Sequence, residues 1–360
     1  MTTDPATSSR RRRLRATGWQ RRGGAAGARA GTRAAGAGQL RTLAVGGRML
    51  RVAVREGSSR EWPPLLLCNG IGASLELLEP FVDALDPRRT VIRFDLPGIG
   101  GSPLPVIPYH MTTLAPLHSG LLDKLGYQQA DVLGISWGGG LAQQFAVQCP
   151  ARVRRLVLVA TGTGSLMVPA QPQVLARMLT PRRHRDPEYA ASIAGEIYGG
   201  SLRADPTRAS ELLHATTRLG PSRGYYYQLL AGAGWTSLPL LPLLRQPTLI
   251  LAGDDDPIIP LINARIISLL IARSELTIYR GGHLDLVSEP GRLAPLVEAF
   301  LTAQTGSDAR EADARPALGR LRPADSVLAQ RGIARPDAFL RRAVIRRRWP
   351  TGPRRGHRAA

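Results

Sequence analysis

Residues 130–147 read ADVLGISWGGGLAQQFAV, and the fold turns on how this stretch divides. Its first six residues are mostly apolar and read as a short buried strand, while the run after the glycines reads as a helix. At the joint stands Gly134-Ile135-Ser136-Trp137-Gly138, a G-x-S-x-G sequence placed between strand and helix. The glycines permit a tight turn that lifts the Ser136 hydroxyl off the sheet, and the helix start directs N–H groups toward developing negative charge. Ser136 is therefore the candidate nucleophile. Outside such a context the same five residues would be a Gly-rich turn.

Outward from this joint the pattern repeats. Short apolar runs PLLLCN (64–69), TVIRFD (90–95), RLVLVA (155–160), PTLILAG (247–253) and ELTIYR (275–280) read as buried strands. Helical stretches are expected near 74–85, 112–124, 137–149, 260–272 and 291–303. From about Thr42, LAV, a Gly46-Gly47 turn and MLRVAVRE alternate as a β-hairpin. Apolar strands alternating with helices predict an α/β chain with a doubly wound, mostly parallel, eight-stranded sheet covered on both faces. Residues 162–245 break the rhythm. They hold helical patches (PQVLARML, ASELLHATTRL, GYYYQLLAGAGW) and no convincing strand, so an inserted helical lid is expected there.

The chain has 360 residues and a formal net charge of +21. Residues 1–40 hold nine Arg against one acid, and residues 304–360 hold fourteen Arg against five acids, which leaves +4 for residues 41–303. A domain over 41–303 is thus expected between an Arg/Gly/Ala-rich head and a basic tail, both disordered, with a short amphipathic helix over DAFLRRAVIRRRW in the tail. The head lacks the apolar stretch of a secretory leader. No apolar run is long enough for a membrane span. Two Cys, Cys68 and Cys149, do not make a disulfide scaffold and point to a reducing, cytoplasmic setting.

A seryl nucleophile needs a base from later in the chain. Among six histidines, His283 alone follows a strand end directly, in the loop Gly281-Gly282-His283. His110 and His118 fall at a helix start, His184 and His214 in the insertion and His357 in the tail, where surface or satisfied structural roles are expected. The orienting acid should follow PTLILAG, where Asp254, Asp255 and Asp256 stand in a row. A G-x-x-D-x-x-x-P turn favours Asp256, with Asp255 second and its neighbours expected to cap the turn and next helix. Asp285 reads as solvated or structural. The backbone N–H groups of Trp137 and of Ile71, in the loop Asn69-Gly70-Ile71-Gly72, are the candidate oxyanion donors. The loop DLPGIGGS (95–102) lacks a Lys and reads as structural, beside the pocket. No metal-ligand cluster is visible, and no cofactor is expected.

NGIGASLELLEPFVDALDP, FDLPGIGGS, GISWGGGLAQQFA, IYGG, GYYYQLLAGAGWTS and LAGDDDPIIPLINAR together resemble the intracellular poly(3-hydroxyalkanoate) depolymerases of the α/β-hydrolase superfamily. The resemblance spans residues 41–303. It implies a serine esterase acting on medium-chain storage polyester, at a granule surface, with Ser136, Asp256 and His283 as triad and Ile71 and Trp137 as oxyanion donors. Related polymer synthases carry Cys at the nucleophile, so Ser136 points to hydrolysis. The basic extensions depart from the family and read first as solvated, Arg-biased segments, the head even as a mis-called start; the other reading is attachment to an anionic surface, a granule coat or lipid layer before nucleic acid. Rival readings are another hydrolase on this scaffold (small-ester, carbon–carbon or haloperoxidase-like) and a non-catalytic granule- or nucleic-acid-binding protein.

Overall fold

A computed structural model describes residues 38–214 and 218–303; the predicted disordered head and tail, and the tail helix, lie outside the described residues apart from Gly38 to Leu40. Eight strands form one sheet: β1 Gln39–Val45, β2 Arg48–Arg55, β3 Leu65–Cys68, β4 Val91–Phe94, β5 Ala130–Ile135, β6 Val153–Val159, β7 Thr248–Gly253 and β8 Ser274–Tyr279. Their order is β1-β2-β4-β3-β5-β6-β7-β8. β2 runs antiparallel to both neighbours, and the pairs from β4 to β8 are parallel. The hairpin begins at Gln39, three residues before the expected start, because Gln39 to Arg41 complete the ladder with Val52 to Val54.

The central strands β3, β4, β5 and β7 are buried at every residue, which is why they read as continuous apolar runs. Helices cover both faces: α1 Glu79–Ala84, α2 Met111–Lys124, α3 Trp137–Gln148, α9 Ile262–Leu270, α10 Asp285–Ser288 and α11 Pro290–Thr302. Between β6 and β7 lie α4 Pro172–Met178, α5 Pro187–Ile197, α6 Ser201–Ala204, α7 Pro206–His214 and α8 Ser222–Ala233. On one face Leu66, Val132, Leu158 and Ile250 pack with Leu114 of α2, Phe145 of α3 and Ile267 of α9. On the other, Leu67, Leu133, Val157 and Leu251 pack with Phe81 of α1 and Val297 of α11, and the same cluster extends to Ile193, Ile197 and Leu213 of the insertion. The helices between β6 and β7 therefore share the sheet's own core.

The helix expected over 74–85 is two pieces, a 3₁₀ turn at Leu75–Leu78 and then α1, whose Pro80 sits in the first turn where no N–H is needed. α2 starts at Met111, with the His110 ring as its N-cap. His118 lies mid-helix and buried, between the Phe94 and Phe145 rings, not at a helix start. The charged side chain of Arg89 is buried as well, with a bidentate contact to Glu298 (3.1 Å to Oε1 and 2.7 Å to Oε2) that ties α11 to the loop before β4. No helix among the described residues is long and apolar enough to cross a membrane.

Candidate active site

The turn from β5 into α3 holds Ser136 at φ 55°, in the left-handed region that side chains rarely occupy. That backbone is braced from three sides: Ser136 N–H donates to the Val159 carbonyl (2.9 Å), and the Ser136 carbonyl accepts from Thr161 Oγ1 (2.7 Å) and Gly139 N–H (2.9 Å). Both motif glycines are steric requirements. A Cβ on Gly134 would overlap the Gly138 carbonyl oxygen, and one on Gly138 would overlap the carbonyl oxygens of Cys68 and Asn69 at the end of β3. Packing at van der Waals limit thus brings the α3 start against the Asn69–Gly72 loop. Within that loop the Gly70 N–H is taken by Asn69 Oδ1 (2.9 Å) and the Gly72 N–H by Gln228 Oε1 of α8 (2.7 Å), flanking Ile71 on both sides. Trp137 is fixed by its indole N–H, which donates to the Gln228 carbonyl at 3.0 Å.

His283 meets this turn from the loop after β8. Its Nε2 is 2.9 Å from Ser136 Oγ and its Nδ1 is 2.8 Å from Asp256 Oδ2. The ring is 3% exposed, so little water competes for either contact. Of the three consecutive carboxylates, only Asp256 reaches the imidazole. Its other oxygen accepts the N–H groups of Ile258 and Ile259, both at 2.9 Å. The turn-capping role expected for the neighbours thus belongs to Asp256 itself. Asp254 instead accepts Gly281 N–H at 3.0 Å, and Asp255 accepts Gly200 N–H at 2.8 Å while pairing with Arg203 at 2.8 Å. Asp285 is buried and bonded to Arg292 at 2.6 Å, so it is structural and not solvated; burial holds its carboxyl above the usual range. The DLPGIGGS loop is structural too. Asp95 at its start receives Leu75 N–H (2.8 Å), Gly101 N–H (2.7 Å) and the Arg51 guanidinium (2.9 Å).

Ser136 and His283 open onto a cleft walled by apolar groups, among them Leu77, Ile135, Met178, Leu213 and Leu284. The walls from the insertion bring residues that the sequence left without a task. Tyr198 accepts the His283 backbone N–H (2.8 Å). Gly199 and Gly200 (φ 63° and 54°) lie so close to Asp255 and Gly282 that a Cβ on either would strike backbone. Their cue was present as the dipeptide in IYGG. Arg183 and His184 also line the cleft. His184, expected as a surface or satisfied histidine, is buried, and burial, then the nearby Arg183 and His214, hold it far below its ordinary pKa. Among the described residues, no group of three or more His, Cys, Asp or Glu is placed to hold a metal ion.

Residues 63–290 match the family model for the α/β-hydrolase fold. The chain belongs to the α/β-hydrolase family. This hydrolase is 49% identical over 263 residues to a poly(3-hydroxyalkanoate) depolymerase of Ectopseudomonas oleovorans, an alignment covering 73% of this chain and 92% of the relative. A 2-hydroxy-6-oxo-2,4-heptadienoate hydrolase of Pseudomonas putida is 30% identical over 255 residues, covering 67% of this chain and 90% of that one. Among solved structures, a hydrolase from Pseudomonas aeruginosa PA01 superposes with a TM-score of 0.62 at 28% identity, covering 74% of this chain and all of the other.

Proposed function

We propose that this hydrolase cleaves the ester bonds of poly(3-hydroxyalkanoate) polyester through an acyl-enzyme on Ser136. The observation that carries the reaction class is the single imidazole in contact with both a buried carboxylate and the hydroxyl of a strained turn. The substrate rests on the 49% identity to the depolymerase of Ectopseudomonas oleovorans. In this reading Asp256 fixes the His283 tautomer with the proton on Nδ1, so Nε2 is free to take the Ser136 proton. Ser136 Oγ attacks the ester carbonyl of a 3-hydroxyacyl unit. The oxyanion is held by the N–H groups of Ile71 and Trp137, and the alcohol end of the chain departs with the proton from His283. Water, activated by the same imidazole, then releases a 3-hydroxy acid or short oligomer.

The helices between β6 and β7 act as a lid in this scheme, and Leu77, Met178 and Leu213 around the cleft suit an aliphatic side chain. The basic segments 1–40 and 304–360 attach the hydrolase domain to an anionic granule coat. The test is release of 3-hydroxy acids from medium-chain polyester granules, with Ser136→Ala as control. Release by the wild type alone supports the reading. Cleavage of a nitrophenyl alkanoate without release from granules keeps the serine hydrolase and removes the polymer. A second reading, hydrolysis of a small ester or a carbon–carbon bond, is favoured by the 30% identity to the Pseudomonas putida hydrolase and is supported by that second outcome.

A further inference from the structure

Arg183 has no part in the relay, yet it lines the same cleft as Ser136 and His283 and is 2% exposed. Buried Arg89 meets Glu298 and half-buried Arg51 meets Asp95, while buried Arg155 spends its guanidinium on the Phe300 and Ala303 carbonyls. Arg183 has no carboxylate within 4 Å among the described residues. One of its terminal nitrogens donates to Tyr225 Oη at 2.9 Å and approaches the Thr180 carbonyl at 3.5 Å, the guanidinium also meets the Tyr198 hydroxyl, and its Nε has no partner. Tyr225 is no counter-ion, because its own hydroxyl proton goes to the Met178 carbonyl. Beside it, His184 lines the same cleft, buried against the Ile71 backbone. A permanent cation kept from water without an opposite charge is costly to the fold. A ligand that carries an anion into the cleft removes that cost.

The anion must belong to a molecule that also places an ester at Ser136 and fits between apolar walls. A 3-acyloxyalkanoate has that form: three covalent bonds separate its ester oxygen from its carboxylate carbon, and Ser136, His283 and Arg183 line one cleft. We propose that Arg183, with His184 beside it, is a subsite for the free carboxylate at the end of a polyester chain. The hydrolase then takes the last ester of the chain and releases one 3-hydroxy acid per cycle. This rests on the polyester reading given above. In the acylation step the Ser136 Oγ–acyl bond forms and the bond from the acyl carbon to the 3-oxygen breaks. That oxygen receives the proton from His283, and the departing 3-hydroxy acid keeps its carboxylate on Arg183. Hydrolysis of the acyl-enzyme gives the shortened chain a new terminal carboxylate, which is the group the subsite recognises for the next cycle.

The test uses the dimer of 3-hydroxyoctanoic acid and its methyl ester, identical at the scissile bond and different in charge. Wild-type kcat/KM should favour the free acid roughly 10- to 100-fold, the range expected for one charge-assisted contact. In Arg183→Gln that ratio should collapse toward one, whatever the overall activity, while Arg183→Lys retains most of it. 3-Hydroxyoctanoate should inhibit p-nitrophenyl octanoate hydrolysis competitively, with a Ki that rises at least about tenfold in Arg183→Gln. Equal handling of acid and methyl ester by the wild type overturns the proposal, as does an unchanged ratio in both variants. If neither dimer is cleaved while the nitrophenyl ester is, the polyester reading fails on its own. The inhibition arm then still decides the subsite: an Arg183-dependent Ki supports it, and an equal Ki in wild type and variants removes it.

Discussion

Replacing Asp256 by Asn separates two adjacent carboxylates that differ in almost every respect except sequence position. Asp256 Oδ2 is 2.8 Å from His283 Nδ1, and its Oδ1 holds the N–H groups of Ile258 and Ile259. The amide keeps an oxygen for the two backbone donors, so the turn should survive. Its NH₂ would then face Nδ1, which can answer only by giving up its own proton to Nε2. An imidazole protonated on Nε2 donates to Ser136 Oγ and cannot act as its base. A tautomer error of this kind costs serine hydrolases ~10⁴ in kcat, or about 5.4 kcal/mol of barrier. Asp255→Asn is the matched control. Its side chain is 47% exposed and pairs with Arg203, exposed at 52%, an interaction worth at most about 1 kcal/mol. Its kcat should change by no more than about fivefold. The assay is steady-state hydrolysis of p-nitrophenyl octanoate, with melting curves to establish that both variants fold. A kcat for Asp256→Asn within tenfold of wild type, or a larger loss in Asp255→Asn, would refute the reasoning.

Three further outcomes follow from packing and charge. Gly138→Ala drives a methyl into the Cys68 and Asn69 carbonyls and should destabilise the chain by about 3 kcal/mol, read as a lowered urea midpoint; an unchanged midpoint means the α3 start has room to move. Arg89→Met leaves Glu298 and the fully buried Asp131 with less opposing charge and should cost about 3 kcal/mol of stability, again by urea unfolding, while kcat of the remaining folded enzyme stays within about twofold. Burial lowers the His118 pKa to about 4, so below pH ~6.5 the unfolded chain binds a proton that the fold refuses. Stability should therefore fall as pH drops from ~6.5 to ~4, by up to about 3 kcal/mol at the low end. In His118→Phe this part of the loss should vanish, and parallel pH profiles for the two proteins would sink the assignment.

The sheet and its helices were readable because their signals are local: apolar runs long enough for a strand, and glycines where backbones touch. Gly134 and Gly138 stand where neighbouring backbone leaves no space for a side chain, and a sequence records that directly. The three consecutive aspartates were harder, since all have the same chemistry and only the turn decides which one faces the imidazole. Arg183 and His184 were not readable. They lie in the run Arg182-Arg183-His184-Arg185, which looks like a solvated charge cluster, and a short 3₁₀ turn carries two of the four inward. The split of 74–85 was written in Pro80, whose missing N–H suits a first helical turn and not the middle of a longer helix.

Tyr198, Gly199 and Gly200 touch the loops bearing His283 and Asp255 through backbone atoms, at distances that exclude any other side chain at either glycine. Substrate range in such scaffolds is an attractive target for transplanting the whole segment between β6 and β7 from one enzyme to another. Here that segment is no detachable cassette. A graft whose crossovers replace residues 198–203 would break the His283 backbone anchor and the Arg203–Asp255 pair together, and its loss of activity would be misread as a change of specificity. Chimeras should keep these six residues native and exchange only what lies on either side.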